Sequence, residues 1–434
     1  MKKVYYYTYF PIVNNVYLYY NAFTNNYLFM NNNKHDIFQN NAPEDIQKID
    51  RKLYDLLVDS GFLEDDKIDE QSIIEFKKLQ LRMNSVQYNV VINTTLDCNL
   101  NCWYCYESKI EGSVLNGTVL EVIKKNIQQK YAEFPYKELK MSFFGGEPLK
   151  NFKVVEDMLI FCKEFAKENN LSLIADFTTN STLITNKMLL FLKDFKCQFQ
   201  ITLDGDEERH NEIRFFKYNK IGTYKLVVNN IYRIQESIPN SKTWIRINFD
   251  DKTLANFSKI LNDLSSLDKT RNHLILRKIW QFPIQNIDKS LIINALQSSM
   301  DSGFAIDYYT LPIHNICFAD RYNEVLFNYD GKVFKCSTLE SFDEKHTEGK
   351  VNEETGKIEW NINKISKKML QRSPDRCLKC KIFPVCLGPC GKNSVNGDNF
   401  NCMVDSTGLS MDEFIFFCFK QERNQEKIFK EIKV

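Results

Sequence analysis

Between residues 88 and 301, short apolar runs alternate with amphipathic stretches of helical period, a pattern that buries its strands as a parallel sheet covered by helices. The apolar runs fall at 88–95, 139–144, 171–178, 197–203, 243–249 and 274–280. Helical stretches lie near 117–134, 152–169, 184–194, 223–237, 253–265 and 288–301. Six β/α units result, in a sheet that is open or partly closed as an incomplete barrel, with chemistry expected at the C-terminal strand ends.

The flanks read differently. Residues 1–86 are rich in Tyr and Asn, with two strands at 16–20 and 27–30 bracketing an Asn25-Asn26 turn. Apolar residues then recur at helical spacing at Ile46, Ile49, Leu53, Leu56 and Leu57, stop near Gly61, and resume at Ile73, Phe76 and Leu79. After about residue 306 the alternation ends in a Cys-rich stretch, followed by a charged helical tail whose apolar face includes Phe416 and Phe419. Three domains are expected, at 1–86, 87–305 and 306–434.

A formal net charge of +1 gives no long-range attraction to nucleic acid or to an anionic membrane. No apolar run approaches the roughly 20 residues of a membrane span, so the chain reads as a cytoplasmic protein with no membrane or nucleic-acid partner. Thirteen cysteines in a reducing compartment point to metal or redox chemistry instead of disulfides.

The run Cys98-Asn-Leu-Asn-Cys102-Trp-Tyr-Cys105 directly follows the first strand of the series. Structural zinc takes four ligands, whereas a 4Fe–4S cluster held by three cysteines keeps one iron open, so an odd number is informative. Three separate buried thiols, or part of a zinc knuckle, would also account for these residues. The C-x3-C-x2-C spacing with an aromatic residue before the last Cys resembles the radical S-adenosylmethionine (SAM) family. That resemblance implies an incomplete (β/α)6 TIM-like barrel, SAM chelated at the open iron, and a 5′-deoxyadenosyl radical that removes a hydrogen atom from substrate. It also implies SAM contacts at the strand ends. Gly145-Gly146-Glu147-Pro148 ends the second strand, with Glu147 at the methionyl ammonium; Thr179 and Asn180 end the third, and Asp204 the fourth. Arg214, ten residues past Asp204, matches an Arg that reaches the SAM carboxylate.

Farther on come Cys317, Cys336 within Gly331-x4-Cys336, the run Cys377-x2-Cys380-x5-Cys386-x3-Cys390, then Cys402 and Cys418. Two zinc sites would satisfy such pairs. The spacing also resembles the SPASM extension of radical SAM enzymes, a C-terminal Cys-rich iron–sulfur domain with two auxiliary 4Fe–4S clusters, three clusters in all. The resemblance implies Cys317, Cys336, Cys390 and Cys402 for the nearer auxiliary cluster and Cys377, Cys380, Cys386 and Cys418 for the farther. Cys162 and Cys197 read as small core hydrophobes.

Members of this group act mostly on peptides and proteins. The N-terminal hairpin and helices resemble a winged-helix-like leader-recognition module, whose exposed strand edge can take an extended leader by strand addition. The chain therefore reads as a radical SAM peptide maturase installing a thioether, ether or C–C crosslink in a ribosomal precursor, served by a low-potential donor such as flavodoxin or ferredoxin. Two other readings stand beside it: a side-chain oxidase of the anaerobic sulfatase-maturing type, and a non-catalytic iron–sulfur or zinc scaffold that binds peptides. The oxidase branch places an Asp base after the second Cys of the extension, but here Cys336 precedes Ser337 and Thr338. No replacement base is evident. His210 reads as a turn cap, and His314 lacks ligand spacing.

Overall fold

Asn15 and Asn25 occupy the left-handed backbone region (φ 65° and 57°), which their short polar side chains tolerate, and they reverse the chain twice. An antiparallel meander follows, of β2 (Tyr7–Val13), β3 (Val16–Asn21) and β4 (Asn26–Asn31), preceded by the short β1 (Lys2–Lys3). The strand Tyr7–Val13 escapes the sequence pattern because Pro11 interrupts it, and an edge position is where a strand accepts proline. Asn31 caps α1 (Asn32–Asn40), Pro43 opens α2 (Pro43–Ile49) and Asp50 caps α3 (Arg51–Asp59). β5 (Leu63–Glu64) then pairs with β1, and α4 (Glu70–Met83) completes the region. Tyr19 and Met30 on one face of the meander bury against Phe38, Ile46, Leu53, Leu57 and Phe62.

The helix expected around Ile73, Phe76 and Leu79 forms, but with the opposite face inward. Those three residues are exposed, while Glu70, Ile74, Lys78 and Arg82 are buried. Each charged residue has a polar partner that compensates its burial: Glu70 accepts from the Tyr5 N–H (2.8 Å), Lys78 Nζ donates to Ser373 Oγ (2.8 Å), and Arg82 Nη1 donates to the Gln371 carbonyl (3.1 Å).

The structure is a computed structural model describing residues 1–279, 287–309, 316–339, 341–391, 400 and 402–432; Trp280 and His314 lie outside them. It divides into two units: Met1–Arg82, Tyr309–Cys317 and Leu370–Val434 form one, Met83–Tyr308 and Phe318–Met369 the other.

The second unit holds the α/β sheet. Six parallel strands, β6 (Gln87–Thr95), β7 (Glu138–Gly145), β8 (Ser172–Thr179), β9 (Lys196–Leu203), β10 (Lys242–Phe249) and β11 (Asn272–Lys278), run in sequence order. The short β12 (Ile306–Asp307) extends one end in parallel, and β13 (Glu324–Phe327) pairs in parallel with β6 at the other. Antiparallel β14 (Val333–Phe334), β15 (Gly349–Val351) and β16 (Ile358–Trp360) continue from there. Among the described residues the sheet ends at β12 and β16 and does not close, so it is a partial barrel.

Intervening helices are α5 (Gly117–Glu133), α6 (Phe152–Glu168), α7 (Asn186–Leu192), α8 (Glu207–Ile213), α9 (Tyr224–Ser237), α10 (Asp251–Ala255), α11 (Phe257–Asp263) and α12 (Lys289–Asp301). The single helix expected at 253–265 is two, broken at Asn256. Phe143, Phe177 and Phe199 stack across three strands with centroids 5.2 and 5.1 Å apart, and Cys162 and Cys197 are fully buried core residues.

After α13 (Ile362–Met369) the chain rejoins the first unit as α14 (Asp375–Leu378), α15 (Phe383–Cys386) and α16 (Met411–Ile432). The last helix packs on the second face of the meander, with Phe416 6.4 Å from Phe10 and Phe419 5.1 and 5.4 Å from Tyr27 and Phe29.

Candidate functional site

The ends of four neighbouring strands, β6 to β9, carry the residues singled out by spacing. Beyond β6 the loop bearing Cys98, Cys102 and Cys105 is held against β7 by backbone bonds from Gly146 N to Thr95 O (2.9 Å) and Glu147 N to Asp97 O (3.0 Å). This contact explains both glycines. A Cβ on Gly145, whose φ is 113°, would lie 2.1 Å from Thr95 O, and one on Gly146 would lie 2.3 Å from Asp97 O. The chain's own backbone is pressed against both of them.

All thirteen cysteines are free thiols. Burial foremost, then the Glu147 carboxylate, pushes the Cys98 thiol up to about 12, and burial also raises Cys102, with the sulfur of Cys105 adding. Cys98 Sγ accepts from Leu100 N (3.4 Å) and Asn180 Nδ2 (3.8 Å). The donor set suits a 4Fe–4S cluster: three thiols on one short loop, each within electrostatic reach of the next. Among the described residues no three His, Cys, Asp or Glu side chains are grouped to hold a single metal ion; a cube takes its thiolates at separate corners.

Glu147 is wholly buried. Its Oε1 accepts from Thr179 Oγ1 (2.6 Å) and Leu149 N (3.1 Å), and its Oε2 from Asn180 N (2.7 Å). Burial raises its pKa to about 6 against the pull of these donors. A carboxylate has about four acceptor positions, so three are used within the fold. Asn180 links onward, donating from Nδ2 to Asn99 Oδ1 (2.9 Å) and accepting from Thr182 N (3.0 Å).

Asp204, also fully buried, accepts at Oδ2 from Arg214 Nε and from the Tyr104 hydroxyl, and at Oδ1 from Asn248 Nδ2 (3.0 Å). Arg214 Nη2 donates to Tyr104 Oη (2.6 Å), as does Asn248 Nδ2 (3.0 Å). Burial alone would lower the Arg214 pKa; the Asp204 carboxylate reverses that and keeps the guanidinium charged. Both charges act on the Cys102 thiol. His210 supports the loop from behind, its Nδ1 accepting from Asp204 N (3.3 Å) and its Nε2 facing Thr223 Oγ1 (3.0 Å).

Cys98, Glu147, Thr179, Asn180, Asp204 and Arg214 thus belong to two hydrogen-bond networks that each include a residue of the cysteine loop. Tyr104, Asn99 and Asn248 belong to them too, and sequence reasoning did not name them as site residues. Tyr104 lay inside the Cys motif and was within reach, but an Asn at the end of a fifth strand gives no signal of its own.

In the other unit, burial foremost pushes Cys377 up to about 11, with the sulfurs of Cys380 and Cys402 adding. Burial likewise raises Cys386 to about 12, aided by Cys380, Cys402 and Cys377. Cys402 therefore shares its surroundings with the C-x2-C-x5-C run. Cys418 lies buried on α16 near Tyr20 and Tyr27. Gly388, with φ 81°, brings the loop after α15 so close that a Cβ there would lie 3.6 Å from Cys377 Sγ. Cys336 belongs to the sheet-bearing unit and accepts from Thr338 N (3.4 Å), whereas Cys317 and Cys390 belong to the first unit.

A partial parallel barrel with a three-cysteine loop at its strand ends defines a class, and residues 92–264 match the model of the radical SAM superfamily. The chain carries a radical SAM domain, a kind of domain that works with a 4Fe–4S cluster and SAM. Its relatives include the cysteine-type anaerobic sulfatase-maturating enzyme of Clostridium novyi (strain NT), 23% identical over 352 residues, covering 71% of this chain and 90% of that one. The radical SAM cyclopropyl synthase TigE of Paramaledivibacter caminithermalis is 23% identical over 336 residues, 68% of this chain and 65% of that one. The solved structure of native anSMEcpe with bound AdoMet and Cp18Cys peptide aligns with a TM-score of 0.61 at 18% identity, over 79% of this chain and 99% of that one, a likeness of fold. No described helix is long and apolar enough to cross a membrane.

Proposed function

We propose that this enzyme is a peptide maturase that installs a crosslink in a ribosomally made precursor, with a net loss of two hydrogens. The observation that carries the reading is the pairing of the strand-end cysteine site with a separate N-terminal sheet that has a usable edge. When bound, the cluster and SAM supply the 5′-deoxyadenosyl radical. Cys98, Cys102 and Cys105 would hold the cluster. The carbonyls of the Gly145-Gly146 turn and the remaining acceptor position of Glu147 would take the methionyl ammonium, and Arg214, fixed by Asp204, the carboxylate. Thr179 and Asn180 would brace Glu147 against the Cys98 loop.

The precursor would add its leader to β4. That strand is at the edge of the meander and has an N–H on each of its six residues, whereas the opposite edge strand has Pro11. Cys377, Cys380, Cys386 and Cys402 make the better-supported quartet for the farther auxiliary cluster, which leaves Cys317, Cys336 and Cys390 for the nearer. This regroups the two cysteines at 402 and 418 relative to the spacing alone. A low-potential donor such as flavodoxin or ferredoxin would reduce the SAM cluster.

Protein side-chain oxidation is the second reading, favoured by the relatives named as sulfatase-maturating enzymes. Against it stands Ser337 after Cys336, a poor proton acceptor where that branch has a carboxylate. Anaerobic reconstitution with a precursor peptide separates the readings. Loss of two hydrogens with two residues joined and no reaction with carbonyl reagents supports a crosslink, while a product that reacts with carbonyl reagents supports the oxidase. Replacing Cys98, Cys102 and Cys105 with Ala should abolish 5′-deoxyadenosine release yet leave leader affinity intact; retained release would overturn the assignment.

A further inference from the structure

The first unit puts the N-terminal strands and the C-x2-C run of the Cys-rich segment into one core. Tyr6 and Ile74 bury with Cys377, Phe383 and Leu387, and Leu378 and Cys380 pack against the same cluster. The polar contacts are more specific. Within the turn of residues 374–383, Cys377 N and Leu378 N bond to Pro374 O, Cys380 N to Cys377 O, and Phe383 N to Cys380 O. The carbonyls of Leu378 and Lys379 gain no bond from these. Tyr6 Oη donates to Leu378 O (2.9 Å) and Tyr5 Oη to Lys379 O (3.2 Å).

Lys381 returns the contact, its Nζ donating to Tyr5 O (2.6 Å) and lying 3.6 Å from the Tyr5 ring centroid. Glu70 fixes the two tyrosines from behind by accepting from Tyr5 N (2.8 Å) and Tyr6 N (3.4 Å). Lys78 and Arg82 of the same helix bond Ser373 and Gln371 just before the turn. Thus α4, Tyr5 and Tyr6 grip the loop that carries Cys377 and Cys380 by its outward carbonyls.

We propose that Tyr5 and Tyr6 are positioning residues for the farther auxiliary cluster, so that its assembly and the folding of the N-terminal strands are one coupled event. The inference rests on the reading that Cys377, Cys380, Cys386 and Cys402 hold that cluster. Reciprocity follows from linkage: whatever orders the N-terminal strands stabilises the cluster loop, and the converse.

The test uses the anaerobically reconstituted full chain and two readouts, iron per chain with the electron paramagnetic resonance spectrum, and hydrogen exchange of individual segments. The double substitution Cys377→Ala and Cys380→Ala should remove about four iron atoms and speed exchange in Tyr7–Asn21 by about tenfold or more, with Gln87–Thr95 unchanged. No loss of iron and an unaltered spectrum would refute the cluster assignment. Iron lost with N-terminal exchange unchanged would refute the coupling alone. Conversely, Tyr6→Phe keeps the ring and removes the hydroxyl; it should shift the signal and midpoint potential of that one cluster while SAM cleavage without peptide stays at the parent rate. An unshifted potential would show that Tyr6 only fills space.

Discussion

Asp204 gathers several commitments at one residue of the barrel. Its carboxylate neutralises Arg214, whose side chain is only 12% exposed, and accepts from Tyr104 and Asn248. Asp204→Ala leaves that guanidinium buried without its counter-charge, which costs about 3–5 kcal/mol; chemical denaturation of the reconstituted enzyme measures it. His210 gives a pH-dependent prediction. Burial depresses its pKa to about 3, with Arg214 reinforcing and Asp204 opposing, so between the ordinary 6.5 and 3 the unfolded chain takes a proton that the native state refuses. Its contribution is therefore complete above pH 6.5 and is lost as the pH falls toward 3. His210→Gln should flatten that limb of the stability curve; an unchanged slope would mean that the imidazole is not held neutral. The cysteines, Glu147 and Asp204 were legible in the sequence because thiols and carboxylates at strand ends have few reasons to be there. Tyr104 and Asn248 were not, since a neutral hydrogen-bonding residue acquires meaning only from the partner that the fold places beside it.

Elements were legible where the pattern is local. All six main strands follow from periodicity, as does the turn at Asn25; of the helices between them, the short α8 was not expected and the one read at 253–265 is two. The other failures were non-local. The strand Glu324–Phe327 is four residues long and pairs with β6, more than two hundred positions earlier, and no run that short announces such a partner. α4 inverted because Lys78 and Arg82 find hydroxyl and carbonyl partners that the periodicity of its apolar residues does not encode. At the β6–β7 contact, Gly146→Ala forces a methyl into the Asp97 carbonyl at 2.3 Å, and the strands must part. The expected cost is about 1–3 kcal/mol, with faster amide exchange at Glu147, which bonds that carbonyl. Unchanged exchange there would show that the loop relaxes freely.

For the whole molecule, the division of the chain is the point least visible in its sequence. Segments from both ends share a core, and the sheet-bearing unit takes the stretch Phe318–Met369 with Cys336 in it. Shared cores of this kind make removal of either part destabilising to the other. Deleting residues 411–434 should strip Phe416 and Phe419 from the meander, lower the melting temperature of the N-terminal unit and raise its binding of a hydrophobic dye; a variant that melts unchanged would show that the helix is dispensable. The same packing has a consequence for biosynthesis. Phe10, Tyr27 and Phe29 leave the ribosome early, but the rings that cover them emerge only after the entire barrel has been made. During translation one side of the nascent meander therefore lacks the rings that pack on it in the folded chain, and that face is completed only when the last helix has been made.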